Sequence, residues 1–253
     1  MSNKDNNNEG VKDTQVKNTE TKTEKSSSEQ EKETKTPQLK NRFRGYMPVV
    51  VDIETTGLEP QKNALLEVAA VTTKIDENGK LVPNTSLSFH LNPFEGAVID
   101  KKALEFNGID PEHPFRFPID EDKAIKDLFK QINIELKEHR CSRAILVAHN
   151  AWFDLHFLQA AQARCKIKNS PFHSFSSFDT ATLAALAYKQ TVLAKACKAA
   201  KIDFQPDEAH SALYDAQKTA ELFCTIVNTW DNFKAQVISD DNDNNKKQGL
   251  IAG

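Results

Sequence analysis

Val49-Val50-Val51-Asp52-Ile53-Glu54-Thr55-Thr56-Gly57 is the stretch on which the reading of the fold turns. From Pro48 onward it is apolar and β-branched, which reads as a buried strand, and Thr-Thr-Gly ends it. Successive strand side chains point to opposite faces, so Asp52 and Glu54 project together, away from Ile53. Two like charges about 4 Å apart repel by about 4 kcal/mol at an effective dielectric near 20. No Lys or Arg lies within the strand, so a divalent cation is the natural counter-charge.

Moving outward, Leu65–Ile75 and Leu81–Leu91 flank Asp76-Glu77-Asn78-Gly79. Asn-Gly between two strand-like runs predicts a tight hairpin with positive φ at both central residues, making the first three strands antiparallel neighbours. Beyond them the period changes. Ala124, Ile125, Leu128, Phe129, Ile132 and Leu136 recur at helical spacing within 120–138. Arg143–His149 reads as a further buried strand, and 151–165, 180–188 and 191–201 as helices. A last helix, Ser211–Trp230, has Ala212, Ala216, Ala220, Phe223 and Val227 as its packed stripe. Hairpin strands followed by strand–helix alternation give an α/β fold, a mixed sheet with helices packed on it.

Two further acids fall where strands hand over to helices. Asp154 follows the strand RAILVAH in the first turn of the next helix, and Asp215 lies early in the last one. An all-oxygen donor set favours Mg²⁺ or Mn²⁺ over zinc. Four carboxylates balance two divalent ions, and such a pair can serve both the attacking and the leaving oxygen at phosphorus. His210 cannot share a helical face with Asp215, because five residues turn the helix by about 500°, leaving the two about 140° apart. With Ser211 as N-cap, His210 belongs to the preceding loop, where an imidazole can take a proton from attacking water. Each signal alone has an ordinary explanation: an edge-strand acid, a capping histidine, an acid favoured by a helix dipole. Their combination points to a metal-dependent site.

Composition bounds the rest. Residues 1–40 are Asn, Lys, Glu, Thr, Ser and Gln with few aliphatics, and such a segment cannot bury enough surface to offset its ordering entropy. The stretch 233–253 is read the same way, leaving one domain over 41–232. The net charge is −3 over 253 residues, and residues 1–38 and 239–253 each account for −1 of it, so no global basic field announces nucleic acid. Four widely spaced Cys without a CxxC pair argue against a zinc site or disulfide framework. The absence of an apolar leader or an 18-residue apolar run makes a cytoplasmic protein with no membrane association the expectation.

DIETTG, NxxFD and HxxxxD together resemble the DEDDh 3′–5′ exonucleases of the ribonuclease H-like fold. RFRGYMPVVVDIET, EFNGIDP, ILVAHNAWFD, NSPFHSF, FDTATLA, QTVLAKAC and AHSALYDA resemble the ribonuclease T branch of that family over about residues 42–230. The resemblance implies a five-stranded mixed sheet, Asp52, Glu54, Asp154 and Asp215 as ligands of two Mg²⁺ ions, and His210 as general base. It implies base stacking by Phe106, Phe153 and Phe175. A further family aromatic falls where this chain has Leu58, which can wedge but not stack. It also implies a homodimer in which a basic patch of one subunit serves the other's site, with Arg42, Arg44, Arg143, Arg164, Lys166 and Lys168 as candidates. Asp179 is expected to organise the site rather than bind metal. The implied substrates are short single-stranded 3′ ends of structured RNA such as tRNA, and DNA 3′ overhangs. The rival readings are a DNA exonuclease of repair or proofreading and a non-catalytic nucleic-acid-binding module.

Overall fold

The computed structural model describes residues 38–251, with side chains to residue 236. The expected N-terminal tail falls, up to residue 37, outside the described residues. Leu39, counted with that tail in the sequence reading, is already buried in the core.

The buried run of the opening stretch becomes β1 (Tyr46–Thr55), the central strand of a five-stranded sheet ordered β3-β2-β1-β4-β5. On one side β2 (Leu65–Ile75) and β3 (Leu81–His90) pair antiparallel. On the other, β4 (Arg143–Ala148) and β5 (Phe172–Asp179) run parallel to it. A strand paired on both edges and covered on both faces needs a continuous apolar run, and Val49, Val50 and Val51 are fully buried. The helices are α1 (Lys101–Asn107), α2 (Glu121–Glu138), α3 (Ala151–Arg164), α4 (Thr180–Tyr188), α5 (Leu193–Ala199) and α6 (Ala212–Ile251). Helix α6 packs on β1, β2 and β3; α2 and α3 pack on each other and on the sheet. The periodic residues of α2 and the Ala212, Ala216, Ala220, Phe223 stripe of α6 all enter the core.

Two local features differ from the sequence reading. The β2–β3 turn has positive φ only at Gly79 (74°), not at Asn78. Asp76 Oδ1 accepts the N–H groups of Asn78 and Lys80, and Gly79 N–H bonds back to Asp76 O. That is the longer hairpin loop in which a single left-handed residue closes the turn. Strand β5 was not legible as a periodic run, because its Phe residues are three apart among serines and its pairing with β4 shifts register. Helix α6 runs on to Ile251, into the polar stretch 233–253.

One close approach shapes the exit from β1. A Cβ on Gly57 would lie 2.5–2.7 Å from the Asn63 side-chain amide. Asn63 is buried, accepts Glu59 N–H and donates to Thr56 O and Val98 O. Any side chain at 57 displaces this amide, at about 1–3 kcal/mol for each buried polar group left unpaired. The loop therefore folds over Gly57 and leaves Leu58 outside.

Candidate active site

Asp52 and Glu54 share a face at the end of β1, and both are partly buried. Parallel β4 ends beside them. Asn150, at φ 70°, turns the chain into α3 so that Asp154 lies buried in the first helical turn. The backbone N–H of Ile53, between the two β1 acids, is close enough to lower the Asp154 carboxyl. The fourth acid arrives from the other end of the chain. His210 is in the left-handed region (φ 67°) just before α6, and its N–H donates to Asp215 Oδ2 at 3.0 Å. Glu54, His210 and Asp215 each offer a ligand atom within 4.8 Å of the others. Asp215 Oδ1 is buried without a hydrogen-bond partner.

The electrostatics of this cluster are unfavourable as it stands. Burial pushes the Asp52 carboxyl well above its usual range, and Asp154, Asp215, Glu54 and Glu67 push it further. Glu54 is raised to about 8, first by burial and then by Glu67 and Asp215, against a hydrogen bond from Asn107 that lowers it. Asp154 is raised mainly by burial, and backbone N–H donors hold it down. Asp215 is raised by burial and held down by its bond from His210 and by the His210 and His149 charges. Among the described residues, no Lys or Arg is a main influence on any of the four. Oxygen donors, an orphaned buried oxygen and missing positive charge together fit a hard divalent cation.

Two neighbours escaped the sequence reading. Glu67 faces Glu54 across the β1–β2 ladder, and its Oε2 accepts the N–H of Ala212, the first residue of α6. Its signal was visible as a lone acid in the otherwise apolar run LLEVAAV. Asn107, at the end of α1, ties that helix to Thr55 O and reaches Glu54. Asp179 behaves as an organiser: one oxygen accepts Ala151 N–H at the start of α3 and the other caps α4.

Around the acids stand apolar surfaces. Leu58, Phe106 and Phe175 are 79%, 70% and 77% exposed, unusual for side chains of this size unless something covers them. The Phe106 ring lies 4.5 Å from the His210 ring. Phe153 is half-buried against Phe157, and Phe175 stands edge-on to His173 on β5. The candidate basic residues divide. Arg164 is committed to structure: it grips Glu121 through Nε and Nη2 and Pro60 O through Nη1. Arg42 forms a bidentate pair with Asp231 of α6. Neither belongs in a free patch, because each guanidinium is held by an acid the sequence places far away. Arg44, Arg143, Lys166 and Lys168 are exposed, and Arg143 and Lys168 line one cavity of about 240 Å³.

Comparison with known proteins accords with this arrangement. Residues 49–223 match a family model described as an exonuclease. Ribonuclease T of Vibrio cholerae is 57% identical over 214 residues, covering 84% of this chain and 96% of that protein. Ribonuclease T of Vibrio campbellii is 60% identical over 199 residues, covering 78% and 93%. The chain belongs to the ribonuclease T family. It is thus a 3′–5′ exoribonuclease, a phosphodiester hydrolase. The five candidate residues, Asp52, Glu54, Asp154, His210 and Asp215, lie inside the matched span, whereas Arg42 and Arg44 precede it. Among solved structures, Escherichia coli exonuclease I with a dT13 oligonucleotide superposes with TM-score 0.56 at 16% identity. The match covers 75% of this chain but only 43% of that one, and it speaks to the shared fold. A zinc-bound complex of the same exonuclease with single-stranded DNA gives TM-score 0.58, 16% identity, and coverage of 77% and 43%.

Proposed function

We propose that Asp52, Glu54, Asp154 and Asp215 hold two Mg²⁺ ions, with Mn²⁺ as a substitute, and that His210 is the general base. The reading is carried by the convergence of these acids, from three distant segments, on one pocket without internal counter-charge. Bound there, the cations supply Lewis-acid polarisation of the phosphate. The chain's own groups do the rest. His210 takes the proton of the attacking water. The new P–O bond forms as the bond to the 3′ oxygen of the preceding nucleotide breaks, releasing a nucleoside 5′-monophosphate and leaving a 3′-hydroxyl. A base stacked on Phe106 lies beside that histidine, and Phe153 and Phe175 offer further ring surfaces, each base–aromatic contact contributing about 1–3 kcal/mol. Leu58 contributes an apolar wedge, which shifts terminal-base preference rather than removing activity.

The substrates are short single-stranded 3′ ends of structured RNA, tRNA above all, with DNA 3′ overhangs as secondary substrates. Among the described residues no helix is long and apolar enough to cross a membrane, which supports a cytoplasmic place of work. The protein acts as a homodimer in which Arg44, Arg143, Lys166 and Lys168 of one subunit lend positive potential to the other's acidic site. Sedimentation velocity checks the last point: a dimer is expected, and monomer alone at assay concentration removes the partner from this account.

A time course on tRNA carrying either a 3′ or a 5′ label tests polarity, substrate and cofactor together. The 3′ label is expected first, as mononucleotide, while 5′-labelled RNA shortens stepwise; EDTA stops both. Early release of the 5′ label, or undiminished hydrolysis in EDTA, rejects the reading.

A further inference from the structure

Helix α5 and the segment after it frame a cleft of about 600 Å³ that plays no part in the account so far. Lys195, Lys198 and Lys201 line it. They recur every three residues, so α5 and its C-terminal turn present them along one side. All three are exposed, and among the described residues no ion pair or hydrogen bond engages their ammonium groups. Exposed lysines elsewhere divide: Lys123 and Lys126 are paired within α2, whereas Lys130, Lys137 and Lys234 are in no ion pair among the described residues. The single acid in the lining, Asp203, has both carboxylate oxygens bonded to the Gln205 side chain. Ile202 and Phe204 form an apolar floor on which lysine stems can lie while their heads stay in solvent. Three unpaired cations over an apolar floor, in a protein of net charge −3, make a local anion track.

Its position ties it to the catalytic end. Phe204 packs edge-on against Tyr214, the residue before Asp215, with ring centroids 5.4 Å apart. Six residues separate Phe204 from His210, so the cleft wall lies within about 20 Å of the histidine. Along one strand of an A-form RNA stem the rise per nucleotide is somewhat below the roughly 3.4 Å of B-DNA, so the cleft lies at most about seven nucleotides from the histidine.

We propose that the Lys195–Lys198–Lys201 cleft binds the phosphate backbone of the substrate's base-paired stem, next to the single-stranded 3′ end being cut. The site rests on the exonuclease reading and adds to it a contact within the same subunit. It lets the enzyme distinguish an overhang on a stem from a free oligonucleotide without reading sequence.

The test is the triple variant Lys195→Gln/Lys198→Gln/Lys201→Gln, assayed on a hairpin RNA with a short 3′ overhang and on the isolated overhang oligonucleotide. Expected are a roughly tenfold higher KM on the hairpin with kcat unchanged, and unchanged constants on the oligonucleotide. Hairpin binding, measured in an Asp215→Asn background, is expected to lose about 2–3 from the slope of log K against log salt. The corresponding Lys→Arg triple is expected to restore hairpin KM. Equal losses on both substrates, or none on the hairpin, overturn the proposal. If the wild type hydrolyses neither RNA, the exonuclease reading itself fails, and this site with it.

Discussion

In Mg²⁺, the Asp215→Asn variant is expected to turn over RNA about 10⁴-fold more slowly than the wild type, the scale seen when one member of a catalytic unit is removed. The substitution is nearly isosteric, so the fold has no reason to change. Asparagine keeps one carbonyl oxygen, which can still accept the His210 N–H that Asp215 Oδ2 accepts at 3.0 Å. What it loses is the charge and the second oxygen, Oδ1, which is buried without a partner. The new amide N–H can instead donate toward Glu54, whose ligand atom lies within 4.8 Å. Turnover should therefore collapse in a protein whose metal-free stability is equal to or above that of the wild type. A single-turnover assay with circular dichroism as the fold control checks both halves. An unchanged rate would remove Asp215 from the site.

The second large effect is on stability, and its sign follows from the site's electrostatics. Glu54 titrates near about 8 in the folded protein against 4.5 ordinarily, and Asp52 and Asp154 are raised in the same direction. Between those two pH values the native state holds a proton that the unfolded chain has released, so stability falls as pH rises. It is full below about 4.5 and lost as pH passes through about 8. For Glu54 alone the swing is on the order of 5 kcal/mol, which for a domain of this size is about 10 °C or more in Tm. A divalent cation binds the native site and not the unfolded chain, so it restores what ionisation removes. Thermal melts without divalent ions should drop as pH goes from about 5 to about 8, and Mg²⁺ should lift the upper end most. A metal-free Tm that climbs over this range would contradict the arrangement.

The elements legible in the sequence are those whose burial imposes a period. The apolar run of β1, the spacing in α2 and the alanine stripe of α6 each have one environment along their length, and each stands where the residues place it. Strand β5 has mixed surroundings and a register shift, so no period marks it. Helix α1 buries nothing, so no apolar period marks it, and its boundaries, the Asp100 cap and Gly108 at φ 68°, are plain only in the structure. At the site, the four acids and His210 stood out because each sits at the end of a readable element. Glu67 did not, since its importance comes from the strand lying opposite it, a relation visible only after pairing. The ion pairs of Arg42 and Arg164 escaped the sequence for the same reason: their acidic partners are 189 and 43 residues away.

With the roles proposed for them, the bond from the His210 main chain to Asp215 makes two chemical functions one mechanical variable. A loop displacement that carries the imidazole outward also frees an oxygen of the carboxylate, so base position and cation affinity cannot be tuned apart. Evolution of this loop toward faster exchange of product would thus carry, as an automatic side effect, a different demand for ambient metal.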